Sequence, residues 1–372
     1  MAQKLRGGDE GRLRDLRDVD RRLRTGGASG LIEGIRGKIR TKETLSTPES
    51  LLCLLAGNRI FSEEKGGLES NGRGKILPID VAGNIITPDD PVFKDLLVSA
   101  AKGMKESRTG MLLNVGHVHC GAVNAAIDFE NGDYDPETKN IRFVVDHVQG
   151  KNEIDNSLKQ ASAAGELIVE TTGITFGMTA LYFDWEKREL INIGESTDHR
   201  IDNTEIVDDI QASARKIASI GFFGGAMEAE QMAPQYAHAI VVSDPKTIMG
   251  KTPIEAIAVR CADARGTFLA PGDSFSDPRT LFSAGPQEIF LVSSNEGLVP
   301  QAGIGSIEYA LLHVKGTKHI VIIDTDEKVA VDTRDFLVDS SETVWRKLTK
   351  GDLDVTLLQY DPKTGAANII FE

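Results

Sequence analysis

A cysteine, an aspartate and an arginine alternate in the segment Cys261-Ala262-Asp263-Ala264-Arg265. The apolar run at 254–259 that precedes it is typical of a buried strand, and Gly266 follows as a turn residue. Side chains two residues apart in an extended segment point to the same side. We therefore expect Cys261, Asp263 and Arg265 to face one cavity beyond the carboxyl end of the strand, where open α/β sheets bind ligands. Because a thiolate and a carboxylate can both bind a metal, this segment is half of a metal site.

The second half of such a site follows another apolar run, at 111–115, in the segment Gly116-His117-Val118-His119-Cys120-Gly121. Zinc binds cysteine sulfur and histidine nitrogen, and catalytic zinc sites use three protein ligands plus one open position. His117, Cys120 and Cys261 are therefore the candidate zinc ligands. His119 is a candidate proton shuttle because imidazole titrates near neutral pH, although a solvent-facing histidine would look the same in sequence.

The composition limits the class of protein. The chain has 372 residues, 40% of them apolar, with a formal net charge of −14. An acidic chain without a basic face argues against nucleic-acid binding, and no apolar run approaches the length of a membrane span. Only three cysteines occur, which predicts reduced thiols in the cytoplasm and no disulfide framework. Cys53 falls within the apolar stripe of a predicted helix that begins at Thr47, and we expect it to be a buried thiol.

Strands and helices alternate along the chain, which predicts an α/β protein with mainly parallel sheets flanked by helices. A polar stretch near 195–203 divides the chain into a first repeat at 46–200 and a second at 201–372, the latter opening with a helix from Glu205 to Ile220. Residues 1–45 are rich in arginine and glycine, and we expect a mobile tail or a helix that packs only on a partner subunit. The predicted strands lie at 76–79, 111–115, 166–172, 178–183, 237–243, 254–260, 288–293, 319–323 and 355–360.

The two motifs resemble those of the β-class carbonic anhydrases. That family carries Cys-x-Asp-x-Arg at the end of one strand and Gly-His-x-x-Cys-Gly at the end of another. Three further segments are similar to the family, at 55–61, 81–84 and 305–310, so that the resemblance covers most of residues 47–372 in two family-like repeats. Within the chain, 76–86 parallels 289–299, 111–115 parallels 320–323, and 181–184 parallels 358–361.

The sequence departs from the family in the order of its motifs. His117 and Cys120 come first, and Cys261 follows 141 residues after Cys120. The first repeat has only a short loop, at 62–74, where the family has its Cys-x-Asp-x-Arg strand. The second repeat has Asp324 and Glu327 where the family has its histidine and cysteine. Asp324, Asp326 and Glu327 could also suggest a cation site, but acids in such a loop are usually solvated.

Two arrangements follow from these half-sites. In one, the strand at 254–260 crosses into the first repeat and the strand at 237–243 takes its place in the second, so that one composite zinc site forms within or between chains. In the other, each repeat keeps its half, and the protein is a pseudoenzyme or a scaffold.

For a composite site, the resemblance implies reversible hydration of CO2 to bicarbonate through a zinc-bound hydroxide. Asp263 would accept a hydrogen bond from the bound water or occupy the fourth position itself, and Arg265 would hold Asp263 away from the metal. Zn2+ is the only cofactor implied, and a homodimer or a pseudo-dimeric monomer is expected. The alternatives are hydrolysis of another small heterocumulene (COS or CS2) and a non-catalytic zinc-binding or scaffold protein.

Overall fold

The structure is a computed structural model of the chain. It describes residues 10–27, 29–64, 76–104, 111–174, 177–184, 187, 189–195, 236–250, 254, 256–262, 278–284 and 288–371. The predicted helix from Glu205 to Ile220 lies outside these residues. None of the helices in the described part is long and apolar enough to cross a membrane.

The first of two five-stranded sheets carries the motif with His117. From edge to edge it contains β1 (Ile76–Val81), β6 (Ala256–Cys261), β2 (Met111–His117), β3 (Gly177–Asp184) and β4 (Glu189–Glu195). The first four strands in this order are parallel, and β4 is antiparallel to β3. Strands β1, β6 and β2 are buried along their whole length, which explains why they read as continuous apolar runs.

The second sheet repeats this arrangement. It contains β7 (Ile289–Ser293), β5 (Ala239–Ser243), β8 (His319–Asp324), β9 (Asp354–Tyr360) and β10 (Ala367–Ile369). Again four parallel strands are followed by one antiparallel edge strand. The predicted α/β class with two mainly parallel sheets is therefore confirmed, and the two sheets match in strand order and direction.

Strand β6 crosses from the second half of the chain into the first sheet, as one of the two predicted arrangements requires. It lies between β1 and β2, with Cys261 opposite Val81 and Arg260 opposite Val115. Strand β5 occupies the corresponding position of the second sheet, between β7 and β8. The first sheet is therefore not built from the first half of the sequence alone.

Helices cover both sheets and connect them. A carboxylate joins the two parts of the molecule: Glu308 accepts hydrogen bonds from Asn140 Nδ2 at 3.0 Å and from Ser341 Oγ at 2.6 Å. The helices after the N-terminal region are α4 (Pro91–Met104), α5 (Gly121–Glu130), α6 (Lys139–His147), α7 (Glu153–Thr172), α8 (Pro245–Met249), α9 (Pro278–Leu281), α10 (Gln301–His313), α11 (Glu327–Ser340) and α12 (Glu342–Lys350).

The N-terminal region forms three helices, α1 (Glu10–Thr25), α2 (Ser29–Arg40) and α3 (Thr47–Glu64). Buried apolar side chains of all three, such as Leu16 and Ile35, belong to the same core as strands of the second sheet. The prediction of a mobile tail, or of a helix that packs only on a partner subunit, was therefore wrong for residues 10–40, because these helices pack on the chain itself.

The predicted strand at 166–172 was also wrong, because helix α7 continues through Thr172. Its β-branched residues favour a strand locally. Asn152 caps the start of the helix, where its side chain accepts a hydrogen bond from Asp155 N, and Gly173 caps the end in the left-handed conformation (φ 69°). Ala161, Ala164 and Ile168 are buried at spacings of three and four residues, which is helical periodicity, so packing of this face decides the conformation.

Candidate metal centre

The three predicted zinc ligands lie together at the carboxyl end of the first sheet. His117 is the last residue of β2, Cys261 is the last residue of β6, and Cys120 is the residue immediately before α5. One ligand atom from each lies within 4.8 Å of the other two. The sulfur atoms of Cys120 and Cys261 are 3.6 Å apart. The exposed fractions of His117, Cys120 and Cys261 are only 0%, 1% and 2%, so the cluster is enclosed by protein.

The backbone around the histidine requires a glycine. A Cβ atom on Gly116 would lie 2.1 Å from Ser157 Oγ, far inside van der Waals contact. Glycine therefore lets α7 pack closely on β2, directly before His117. The glycine of the His-x-x-Cys motif thus has a packing role that the sequence pattern alone did not reveal.

Backbone groups orient two of the ligands. Gly83 N lies 3.4 Å from Cys261 Sγ and donates a hydrogen bond to it, which favours a thiolate at this position. Gly83 has φ 70°, and this left-handed conformation directs its N–H towards the site. His117 Nδ1 lies 2.9 Å from Val118 O. With the Nδ1 proton donated to that carbonyl, Nε2 carries the lone pair that a metal requires.

A buried polar network holds the Gly83 turn in place. Asn156 Nδ2 donates to Gly83 O at 2.9 Å, and Asn114 Nδ2 donates to Asn84 O at 2.9 Å. Asn84 Nδ2 in turn donates to Asn114 Oδ1 at 2.5 Å and to Ser157 Oγ at 3.2 Å. These polar side chains are all buried, so they fix the turn that contacts Cys261. No pattern in the sequence marks these four side chains as part of the site.

Burial of the cluster favours neutral thiols, and a bound cation would change this. Burial raises the pKa of Cys261 well above its usual value, the Cys120 thiol beside it adds to this effect, and His117 opposes it. A bound divalent cation would instead favour deprotonated cysteines, because it stabilises the thiolates directly. The N-terminus of α5 begins at Gly121, immediately after Cys120. Two cysteines and a histidine are a donor set that zinc prefers, so these residues fit the metal.

The other predicted site residues have different outcomes. His119 is exposed and has φ 54°. It therefore lies at the surface, next in sequence to the buried Cys120, and its role as a proton shuttle stays a prediction. Asp263 and Arg265 lie outside the described residues, so their predicted roles stay predictions. Cys53 is buried in α3 with its sulfur 3.7 Å from His238 Nε2, as expected for a thiol outside the metal centre.

The second sheet has polar residues of another kind at the matching positions. Ser243 is the last residue of β5 and is paired with Ser293 of β7. In the first sheet, Cys261 is the last residue of β6 and is paired with Val81 of β1. Asp324 ends β8, is buried, and accepts a hydrogen bond from Asp326 N at 3.0 Å. The expectation of solvated acids was wrong for Asp324, because its buried carboxylate binds the backbone N–H of Asp326, the residue before α11, whereas Asp326 and Glu327 are exposed. Burial and the nearby negative charge of Asp244 raise the pKa of Asp324 to about 6.

Within the described residues, the group of His117, Cys120 and Cys261 is the only one of at least three His, Cys, Asp or Glu side chains that could hold a metal ion. No protein-family model matches the chain, and a search of curated proteins found no match to it.

Proposed function

We propose that the chain is a zinc enzyme of the β-carbonic-anhydrase type, which hydrates CO2 reversibly at one composite site. The observation that carries the proposal is the convergence of His117, Cys120 and Cys261 through the insertion of β6 between β1 and β2. The complementary half-sites then belong to one centre. The reversed order of the motifs follows from the path of the chain, because the cysteine strand is supplied by the second half.

The proposed catalytic role requires three protein ligands and one position that water can occupy. Structural zinc sites are usually closed by four protein ligands, whereas catalytic sites have three and keep one position open. Among the described residues, His117, Cys120 and Cys261 would supply three ligands. When bound, zinc supplies Lewis acidity that makes water a competent nucleophile near neutral pH. Asp263 follows Cys261 by two residues, and we propose that it accepts a hydrogen bond from the reacting water or occupies the fourth position, with Arg265 as its ion-pair partner.

The surroundings of the cluster support a small, uncharged substrate. Cys120 and Cys261 belong to an apolar core together with Ile85, Val123 and Val144. An apolar environment of this kind favours an uncharged molecule such as CO2 over a charged one. His119, at the surface between two ligands in sequence, is the proposed route for the proton released by hydration.

The matching sheets support a tandem duplication in which one site was retained. Both sheets have the same strand order and directions, and the second has Ser243 and Asp324 at positions that correspond to Cys261 and His117. We propose that the chain is a pseudo-dimeric unit with one active centre, which can associate further into a homodimer, and that it acts in the cytoplasm.

The proposed activity is tested by stopped-flow measurement of CO2 hydration with the zinc-loaded protein. We expect a rate above the uncatalysed reaction that is lost in His117→Ala and unchanged in Cys53→Ser. In Asp263→Ala the rate should fall while zinc stays bound. A zinc-loaded protein that hydrates no CO2 would contradict the proposal. Parallel assays with COS and CS2 would then separate another heterocumulene hydrolase from a non-catalytic zinc protein.

A further inference from the structure

A buried ion pair joins β6 to β1 directly before the metal centre. Arg260 Nε donates to Asp80 Oδ1 at 2.6 Å, and Arg260 Nη2 donates to Asp80 Oδ2 at 3.1 Å. The side chains are 1% and 4% exposed. The two residues lie directly opposite each other in the parallel pairing of β1 and β6. Arg260 immediately precedes Cys261, so the pair and the metal ligand occupy opposite faces of the same strand end.

Such a pair needs an explanation, because a buried ion pair is often no more stabilising than well-packed apolar residues of similar volume. Its best-attested use is to specify one register among several. The register of strand β6 is not specified by its apolar residues. Its first four residues, Ala256 to Val259, are all apolar and buried, so a shift by two residues would exchange one apolar side chain for another on the same face.

The ion pair distinguishes the correct register from its neighbours. If β6 moved forward by two residues relative to β1, Arg260 would lie opposite Ala82 and Asp80 opposite Ala258. The buried charges of Arg260 and Asp80 would then no longer pair with each other, which is strongly unfavourable. Val259 would replace Cys261 at the site, and the cysteine would be displaced by roughly 6.6 Å, far more than a Zn–S bond of about 2.3 Å tolerates.

We propose that Asp80 and Arg260 are positioning residues that fix the register of the crossing strand and thereby deliver Cys261 to His117 and Cys120. The proposal rests on the metal centre proposed above. A backbone contact also fixes the position of β1, because Asp80 N donates a hydrogen bond to Ser293 Oγ at 2.8 Å. This bond anchors β1, the reference strand, to the end of β7 in the second sheet.

The register can be tested without metal by disulfide trapping. Treating the metal-free wild-type chain with diamide should link Cys120 to Cys261, since their sulfurs are 3.6 Å apart, and peptide mass spectrometry would identify the link. The double variant Asp80→Leu/Arg260→Met removes both charges and keeps similar volumes. We expect it to fold cooperatively, yet to give at least about a 5-fold lower yield of this link and a matching loss of bound zinc.

Two further variants control the experiment. The exposed pair Arg142–Asp146 is the matched control, and Arg142→Met/Asp146→Leu should trap and bind zinc like wild type. The charge-reversed Asp80→Arg/Arg260→Asp should trap better than either of its single changes, because the two charges can pair again. This comparison decides the question even if the apolar double variant does not fold.

Wild-type trapping and zinc content in a folded Asp80→Leu/Arg260→Met protein would overturn the proposal. A charge-reversed variant that traps no better than its single changes would overturn it as well. Efficient trapping in a wild-type chain that binds no zinc would instead refute the metal centre and leave the register proposal standing.

Discussion

Cys120 and Cys261 are separated by 141 residues in sequence, and their sulfur atoms lie 3.6 Å apart in the structure. This proximity depends on one topological feature, the insertion of β6 between β1 and β2. It turns two incomplete motifs into one candidate centre. It also accounts for the second sheet, where β5 takes the corresponding position and ends in Ser243.

Gly116 should be sensitive to the smallest substitution. We expect Gly116→Ala to lower the free energy of unfolding by about 1–3 kcal/mol, because its Cβ would overlap Ser157 Oγ. In the double variant Gly116→Ala/Ser157→Ala the overlapping oxygen is absent, so the loss should be smaller than the sum of the two single effects. Urea unfolding measures both. Gly34→Ala, where a Cβ meets nothing within 4 Å, is the control and should not destabilise the protein.

His238 should make the protein less stable in acid. Burial lowers the pKa of His238 to about 3, whereas an unfolded histidine titrates near about 6.5. Below about pH 6.5 the unfolded chain therefore binds a proton that the folded chain does not, and stability falls as the pH is lowered towards 3. The ring lies 2.9 Å from Ser50 Oγ and 3.7 Å from Cys53 Sγ, and His319 also contacts Ser50.

The measurement is the urea midpoint of wild type and His238→Asn at pH 7, 5 and 4. The wild-type midpoint should fall more steeply between pH 7 and 4 than that of the variant, which has lost the titrating group. Parallel curves for the two proteins would show that His238 does not contribute to the acid sensitivity.

Asp324 should have the opposite dependence on pH. Its pKa is raised to about 6 by burial, so the folded chain holds a proton between about pH 4 and 6 that the unfolded chain has lost. This contribution to stability is present below pH 4 and is lost as the pH rises through 6. Asp324→Asn keeps an oxygen for Asp326 N and cannot ionise. We expect it to stabilise the protein by up to about 2 kcal/mol more at pH 8 than at pH 4. Equal effects at both pH values would contradict this.

The buried parallel strands could be predicted from sequence because strands that are covered on both faces have continuous apolar runs. The complementary half-motifs indicated two arrangements, and the structure has the one in which β6 crosses between the sheets. The two acids at 324 and 326 were harder to interpret, since the cap that Asp326 provides for α11 becomes visible only with the helix itself. Helix α7 was missed in part because its β-branched residues favour a strand until packing is known.

The support around the ligands could not be predicted, because it depends on contacts between distant segments. Gly83 donates a hydrogen bond to Cys261, which lies 178 residues further along the chain. Asn156 donates a hydrogen bond to Gly83 across 73 residues. Asp80 and Arg260 are likewise 180 residues apart. A lone aspartate and a lone arginine in two apolar runs give no signal until the register of the strands is known.

The most direct test of the composite centre is the zinc content of purified protein, measured by inductively coupled plasma mass spectrometry. We expect about one zinc per chain in wild type and in Cys53→Ser, which removes a buried thiol outside the centre. Cys261→Ser and Cys120→Ser should each lose at least about nine-tenths of it, although the two residues lie in different halves of the chain. Zinc retained at the wild-type level in Cys261→Ser, or a wild-type protein that binds none, would contradict the account.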